Sequence, residues 1–150
     1  MAARQRYTTA SAYLTTADCA AAIDRYVRHL GANERYRLEM PDGKIAHAEL
    51  QIGDCIVMLS DEFTEMGTLS PQTLGGSPLS LNVYVDDADA TFAAMLADGA
   101  SELFEVKDQF HGDRSGKLRD PFGHIWHIAS NTEDFSSDEI VKRFQSMMGG

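Results

Sequence analysis

Two stretches decide the fold: SAYLTTADCAAAIDRYVRHLGA (residues 11–32) and LSLNVYVDDADATFAAMLADGA (residues 79–100). Each opens on the alternating pattern of a short strand and passes through an aspartate suited to starting a helix. The first then sets Ile23, Tyr26, Val27 and Leu30 at helical spacing and stops at Gly31. The second sets Phe92, Met95 and Leu96 on one helical face and stops at Gly99. Glycine suits a helix stop because it has no Cβ to oppose the left-handed backbone conformation. Asp18 to Gly31 spans thirteen positions, and so does Asp86 to Gly99. Equal spacing in both copies points to an internal repeat rather than to chance similarity.

The repeat extends past the helices. ERYRLEMPDGKIAHAELQIGDCIVMLS reads as three strands separated by Asp-Gly and Gly-Asp turns, and SELFEVKDQFHGDRSGKLRDPFGHIWHIAS reads as three more. Asp18 lies 68 positions before Asp86, and Gly53 lies 70 before Gly123. The pattern predicts an α+β fold of one domain, residues 1–150, built from tandem βαβββ modules. Module 1 covers about 8–61 and module 2 about 78–131, with a Gly-, Pro-, Ser- and Thr-rich linker over about 62–77. A short C-terminal helix follows over about 136–148. Ser136 and Glu139 form its capping box, and Ile140, Val141, Phe144 and Met148 form an apolar stripe for packing or a dimer contact.

Composition limits the function. With 43% hydrophobic and 24% charged residues, 150 residues are enough for a core that needs neither disulfides nor a metal for stability. Cys19 and Cys55 lack C-x-x-C spacing and read as buried thiols. A net charge of −10 disfavours a nucleic-acid partner, which calls for clustered Lys and Arg, and is compatible with a cationic ligand. No segment is long and apolar enough to be a membrane span. The opening MAARQRYTTA lacks a signal-peptide apolar core, so a cytoplasmic location is expected.

Strand alternation sorts the polar residues. In IAHAELQI, Ala46, Ala48, Leu50 and Ile52 share the face suited to a helix, and Ile45, His47, Glu49 and Gln51 share the other. In LSLNVYV, Leu79, Leu81, Val83 and Val85 point to the core, and Ser80, Asn82 and Tyr84 point away. Rolled together, the two polar faces would line a cup; lying open, they would face water. The scarcity of Lys and Arg among them favours the cup. The loop KDQFHGDRSG adds Phe110, His111 and Arg114 as a lid and charge clamp. In RDPFGHIWHIAS, Trp126 reads as core and His124 as a rim residue.

The residues TTADCAAAIDRYVRHLGA, HAELQIGDCIVMLSDE and GDRSGKLRDPFGHIWHIAS resemble the vicinal oxygen chelate superfamily of glyoxalases, bleomycin-resistance proteins and extradiol dioxygenases. The second and third stretches look most like its PhnB-like branch. The resemblance implies paired modules forming a curved mixed sheet around a cup, often in a homodimer whose chains complete each other's cups. Metal-dependent members place ligands on the first and last strand of each module, positions that fall here on Ala12, Met58, Ser80 and His127. Only His127 is a strong ligand, and a divalent-ion site wants at least three N, O or S donors. The expectation is therefore no metal and no cofactor, with a site relocated to His47, Glu49 and His127 as the remaining route to an ion.

Two functions follow. The first is sequestration of a small, flat, cationic or aromatic molecule, of the antibiotic-resistance type, by His47, Glu49, Gln51, Ser80, Asn82, Tyr84, Phe110, His111, Arg114 and His127. Tyr84, Phe110 or Trp126 would supply aromatic contacts. The second is a metal-independent isomerase or lyase. Glu49, its proton affinity raised by burial, would act as base beside His47, with Arg114 or His127 steadying an oxyanion. An interaction domain without a small ligand is the third reading.

Overall fold

The structure is a computed structural model that describes residues 7–149. The leaderless reading of MAARQRYTTA rests largely on residues 1–6, which lie outside the described residues. The elements run β1 (Ala12–Thr16), α1 (Cys19–Leu30), β2 (Asn33–Glu39), β3 (Ile45–Ile52), β4 (Cys55–Asp61), α2 (Pro71–Leu74), β5 (Ser80–Tyr84), α3 (Ala88–Ala97), β6 (Ser101–Asp108), β7 (Asp113–Arg119), β8 (Ile125–Asn131) and α4 (Ser137–Gly149). Two βαβββ modules are present, each with its own four-stranded mixed sheet: β1-β4-β3-β2 in the first and β5-β8-β7-β6 in the second. In each, the first and last strands pair parallel and the others antiparallel. No helix among the described residues is long and apolar enough to cross a membrane.

The chain divides into two compact units. One holds the residues up to Pro78 together with Phe122–His124, and the other holds Leu79–Pro121 and the chain from Ile125 onward.

In the first unit, α1 begins where the Asp18 carboxylate accepts the Ala21 N–H at 3.1 Å and ends at Gly31 with φ 67°. Between these caps Cys19, Ala22, Ile23, Tyr26 and Leu30 are buried, against a sheet face carrying Leu14, Ala48, Leu50, Val57 and Leu59. Of the thiols expected to be buried only Cys19 is, and Cys55 is exposed. Full burial of side chains of this size stabilises by roughly 1.5–3 kcal/mol each. A buried carboxylate ties helix to sheet: Asp61 accepts from the N–H groups of Cys19 at 2.9 Å and Ile45 at 2.6 Å. The segment after β4 contains a 3₁₀ turn at Thr64–Met66 and α2, which Ser70 caps. Gly123, at φ 92°, lies so close to Pro71 that an added Cβ would stand 2.7 Å from the proline Cβ. Its neighbour His124 is no rim residue: it is buried, and its Nε2–H donates to the Thr15 carbonyl at 2.9 Å.

The second unit repeats the plan with different chemistry. Its helix start is Asp87 rather than Asp86, and the carboxylate accepts the Ala90 N–H at 3.1 Å. Ser130 stands where Asp61 stands in the first unit, accepting from Ala88 N–H and donating to the Val85 carbonyl, both at 2.8 Å. Phe92 and Met95 are buried as expected, along with Val83, but Leu79 lies before the strand and is half exposed. Trp126 is fully buried, its indole N–H donating to buried Asp120 at 3.0 Å. The last helix forms as its capping box predicts, with Ser136 accepting the Glu139 N–H at 3.2 Å, yet none of its residues is buried.

Candidate functional site

In the first unit one pairing row crosses the whole sheet. Tyr13 of β1 pairs with Met58 of β4, Met58 with Glu49 of β3, and Glu49 with Tyr36 of β2. Paired residues project to the same face, so these four side chains share the face opposite α1. His47 sits two residues from Glu49 on that face. The Tyr13 hydroxyl is hydrogen-bonded to His47 Nδ1 at 2.7 Å, and His47 Nε2–H donates to Glu49 Oε2 at 2.9 Å. Because a carboxylate only accepts, the imidazole carries a proton on Nε2. The Tyr36 hydroxyl donates to the same oxygen at 2.9 Å.

Glu49 is 2% exposed, and its Oε1 has no partner in hydrogen-bonding geometry. The Arg35 guanidinium approaches that oxygen at 3.5 Å while lying 4.8 Å from the Tyr7 ring centroid. Burial alone pushes the Glu49 carboxyl up. The hydrogen bonds from His47 and Tyr36, with a further pull from the Tyr7 phenol, outweigh burial and hold it below its ordinary value. This corrects the expectation that burial raises it. The same hydrogen bond pushes the Tyr36 phenol up to about 12. The rings form a continuous surface in front of the carboxylate: His47 stands 5.5 Å from Tyr13 and 5.8 Å from Tyr36, centroid to centroid. Tyr13 is 50% exposed and Tyr36 41%.

The second unit carries the matching row: Asn82, His127, Lys117 and Phe104. Each lies 68 or 69 positions after Tyr13, Met58, Glu49 and Tyr36 respectively. His127 is held below its usual value by burial and by the neighbouring Lys117 charge. A hollow of about 470 Å³ is lined by Phe104, Lys107, Gln109, Lys117 and His127 among others. A second, of about 480 Å³, includes Asn82, Tyr84, His111 and Asp113. Buried Asp113 accepts from the Tyr84 hydroxyl at 2.8 Å and from the Asn131 amide at 3.0 Å, with His111 Nδ1 at 3.7 Å. That hydrogen bond also pushes the Tyr84 phenol up.

The structure thus brings His47 and Glu49 together in one unit, and Asn82, Tyr84, His111 and His127 around the two hollows of the other. Other candidates turn away. Gln51 is exposed and donates to the Gly53 carbonyl at 3.2 Å, and Ser80 is exposed two pairs along from the central row. Phe110 packs 5.7 Å from Phe144 of α4 and 5.2 Å from His111. Arg114 donates to Asp89 at 2.7 and 3.0 Å and to Asp108 at 3.2 Å, fastening the start of α3 to β6 and β7. The ligand positions also shift. Tyr13, not Ala12, shares Met58's face, and Asn82 rather than Ser80 pairs with His127. A phenol, a thioether, an amide and one imidazole do not fit a catalytic divalent ion. Among the described residues no three of His, Cys, Asp or Glu group in a way that could hold one.

Sequence reading missed Tyr13, Tyr36, Phe104 and Lys117. The repeat offset carried the signal for Lys117, since it falls 68 positions after Glu49.

Paired βαβββ modules with these rows define a glyoxalase-like class, and residues 7–128 match the Glyoxalase/Bleomycin resistance protein/Dioxygenase superfamily. The chain belongs to that superfamily. It is 38% identical over 143 residues to an uncharacterized protein of Mycobacterium bovis, spanning 93% of this chain and 94% of that one. It is also similar to a crystal structure of a Pseudomonas aeruginosa protein, with 25% identity and TM-score 0.70, covering 84% and 99% of the two chains. A PhnB protein from Bacillus cereus shares the fold at 16% identity and TM-score 0.64, covering 82% and 99%.

Proposed function

We propose that the protein captures small, flat, cationic molecules on the Tyr13–His47–Tyr36 face and releases them unchanged, a sequestering role of the resistance type. The observation that carries this reading is the ionised, 2% exposed Glu49 lying behind two half-exposed phenol rings. A cation laid on the rings gains about 0.5–2 kcal/mol per aromatic contact, more as water is excluded. The buried carboxylate adds an attraction that solvent screens poorly. Arg35 shows a cation in this kind of setting, 4.8 Å from the Tyr7 ring centroid and ion-paired to Glu49 Oε1 at 3.5 Å.

The acid–base reading asks for a carboxylate whose proton affinity has risen, and Glu49 has moved the other way. Metal-independent isomerase or lyase chemistry through Glu49 and His47 is therefore the weaker alternative. The homodimer and the cytoplasmic setting belong to the proposal too. A solution mass near twice 16.5 kDa is the result expected for the dimer.

The test is a thermal-shift titration with ethidium, a flat aromatic cation, against anilinonaphthalene sulfonate, a comparably aromatic anion. Tyr13→Ala and Tyr36→Ala serve as controls for the face. Ethidium should raise the melting temperature of the wild type, lose most of that effect in both variants, and be recovered chemically intact. Equal shifts from both dyes, or shifts that survive both substitutions, would overturn the proposal.

A further inference from the structure

The second unit holds a feature that the cation-binding face does not explain. In a chain of net charge −10, two of the four lysines, Lys107 and Lys117, line the same 470 Å³ hollow. His111, His127, Gln109 and Ser115 line it too, and the one carboxylate in the lining is Glu105. Among the described residues neither lysine forms an ion pair, whereas Arg28, Arg37, Arg114 and Arg143 all do. Lys117 lies between His127 and Phe104 in the pairing row, and its ammonium is 5.5 Å from the centroid of the 65% exposed Phe104 ring.

We infer that this hollow is a second binding site, specific for small aromatic oxyanions, carboxylates or phosphate monoesters. Lys117 and Lys107 supply charge, His127 supplies a hydrogen bond, and the ligand ring lies on Phe104, while Gln109, whose amide donates to the Lys107 and Ser115 carbonyls, braces the wall. An uncompensated ammonium beside an apolar ring and polar donors matches the two halves of such a ligand. A lysine is a compact point charge on a flexible stem, so it serves either oxyanion, whereas a fixed guanidinium fork would select planar geometry. The volume accommodates a ligand of one or two rings, small for the range usual in ligand pockets. The site shares no residue with the Tyr13–Glu49–Tyr36 face, so either can stand if the other fails.

Calorimetric titration of the full chain with benzoate, phenyl phosphate and neutral benzamide tests this. Either anion should bind at least about tenfold more tightly than benzamide, the size expected for one charge-assisted contact. A preference between the two anions identifies carboxylate or phosphate as the source. Lys117→Met and, separately, Lys107→Met should each weaken the preferred anion by about tenfold while leaving the ethidium response unchanged. Lys107 is exposed and Lys117 half-buried, and a matching circular-dichroism melt establishes that each variant is folded. Benzamide binding as well as the anions, no anion binding up to millimolar concentration, or undiminished anion affinity in both variants would overturn the inference.

Discussion

Glu49 and Lys117 occupy the same place in the two repeats, each paired across the sheet to an aromatic residue of the outer strand, Tyr36 for the glutamate and Phe104 for the lysine. Duplication fixed the backbone position, and divergence reversed the charge on it. The glutamate is sealed beneath its neighbours, while the lysine is half-buried beside a hollow. One scaffold therefore presents two aromatic faces of opposite electrostatic preference.

The hydrogen bond between Tyr36 and Glu49 should be visible in the phenol titration. Tyr36 is pushed up to about 12 chiefly because the bond is lost when the phenol ionises. In Glu49→Gln the neighbouring negative charge is gone, so one tyrosine should titrate closer to its ordinary value in an absorbance titration. An unchanged tyrosinate profile would contradict this geometry.

Acid stability follows from Glu49 with a definite sign. Its folded-state value lies below the unfolded one, so the unfolded chain takes up the proton first as pH falls. The carboxylate's contribution is complete above the ordinary glutamate value of about 4.3 and drains away as pH drops through the folded value. Urea unfolding of the wild type should weaken over that window, and Glu49→Gln should show a shallower acid limb. Parallel limbs would mean that the His47 and Tyr36 hydrogen bonds do not favour the charged form.

Removing Arg114 should separate fastening from binding. Its partners are exposed carboxylates on α3 and β6, so Arg114→Met should lower stability only slightly. Ethidium and benzoate responses should be those of the wild type. A loss of either at unchanged stability would return Arg114 to the ligand.

Gly123 and Gly53 both have positive φ, at 92° and 59°, but only Gly123 faces a neighbour, Pro71, within contact distance. Alanine at either site strains the backbone by about 1–3 kcal/mol. Gly123→Ala must also displace the proline, so chemical denaturation should find it clearly less stable than Gly53→Ala. Equal costs would mean that α2 yields freely.

Much of this architecture could be read from residue order. The aspartate-to-glycine spacing marked both helices, Asp-Gly and Gly-Asp turns marked the hairpins of module 1, and alternation put His47 and Glu49 on one face. What escaped was cross-strand register. Sliding one residue along β1 exchanges Ala12 for Tyr13 and moves the side chain to the opposite face, and nothing local to the strand fixes that step. The direction of the Glu49 shift escaped for a related reason. Alternation implies burial, but Tyr36 comes from a neighbouring strand, and its contribution appears only once the pairing is known. His124 was misread because a polar residue beside a turn looks solvent-facing until its carbonyl partner is in place.

The affinity of ethidium for Glu49→Gln at neutral pH, measured by calorimetry beside the wild type, bears most directly on the claim that a buried carboxylate draws cations to the tyrosine face. Glutamine keeps the size and much of the hydrogen bonding while removing the charge, and the account predicts about tenfold weaker binding with the fold intact. Binding as tight as in the wild type would contradict it.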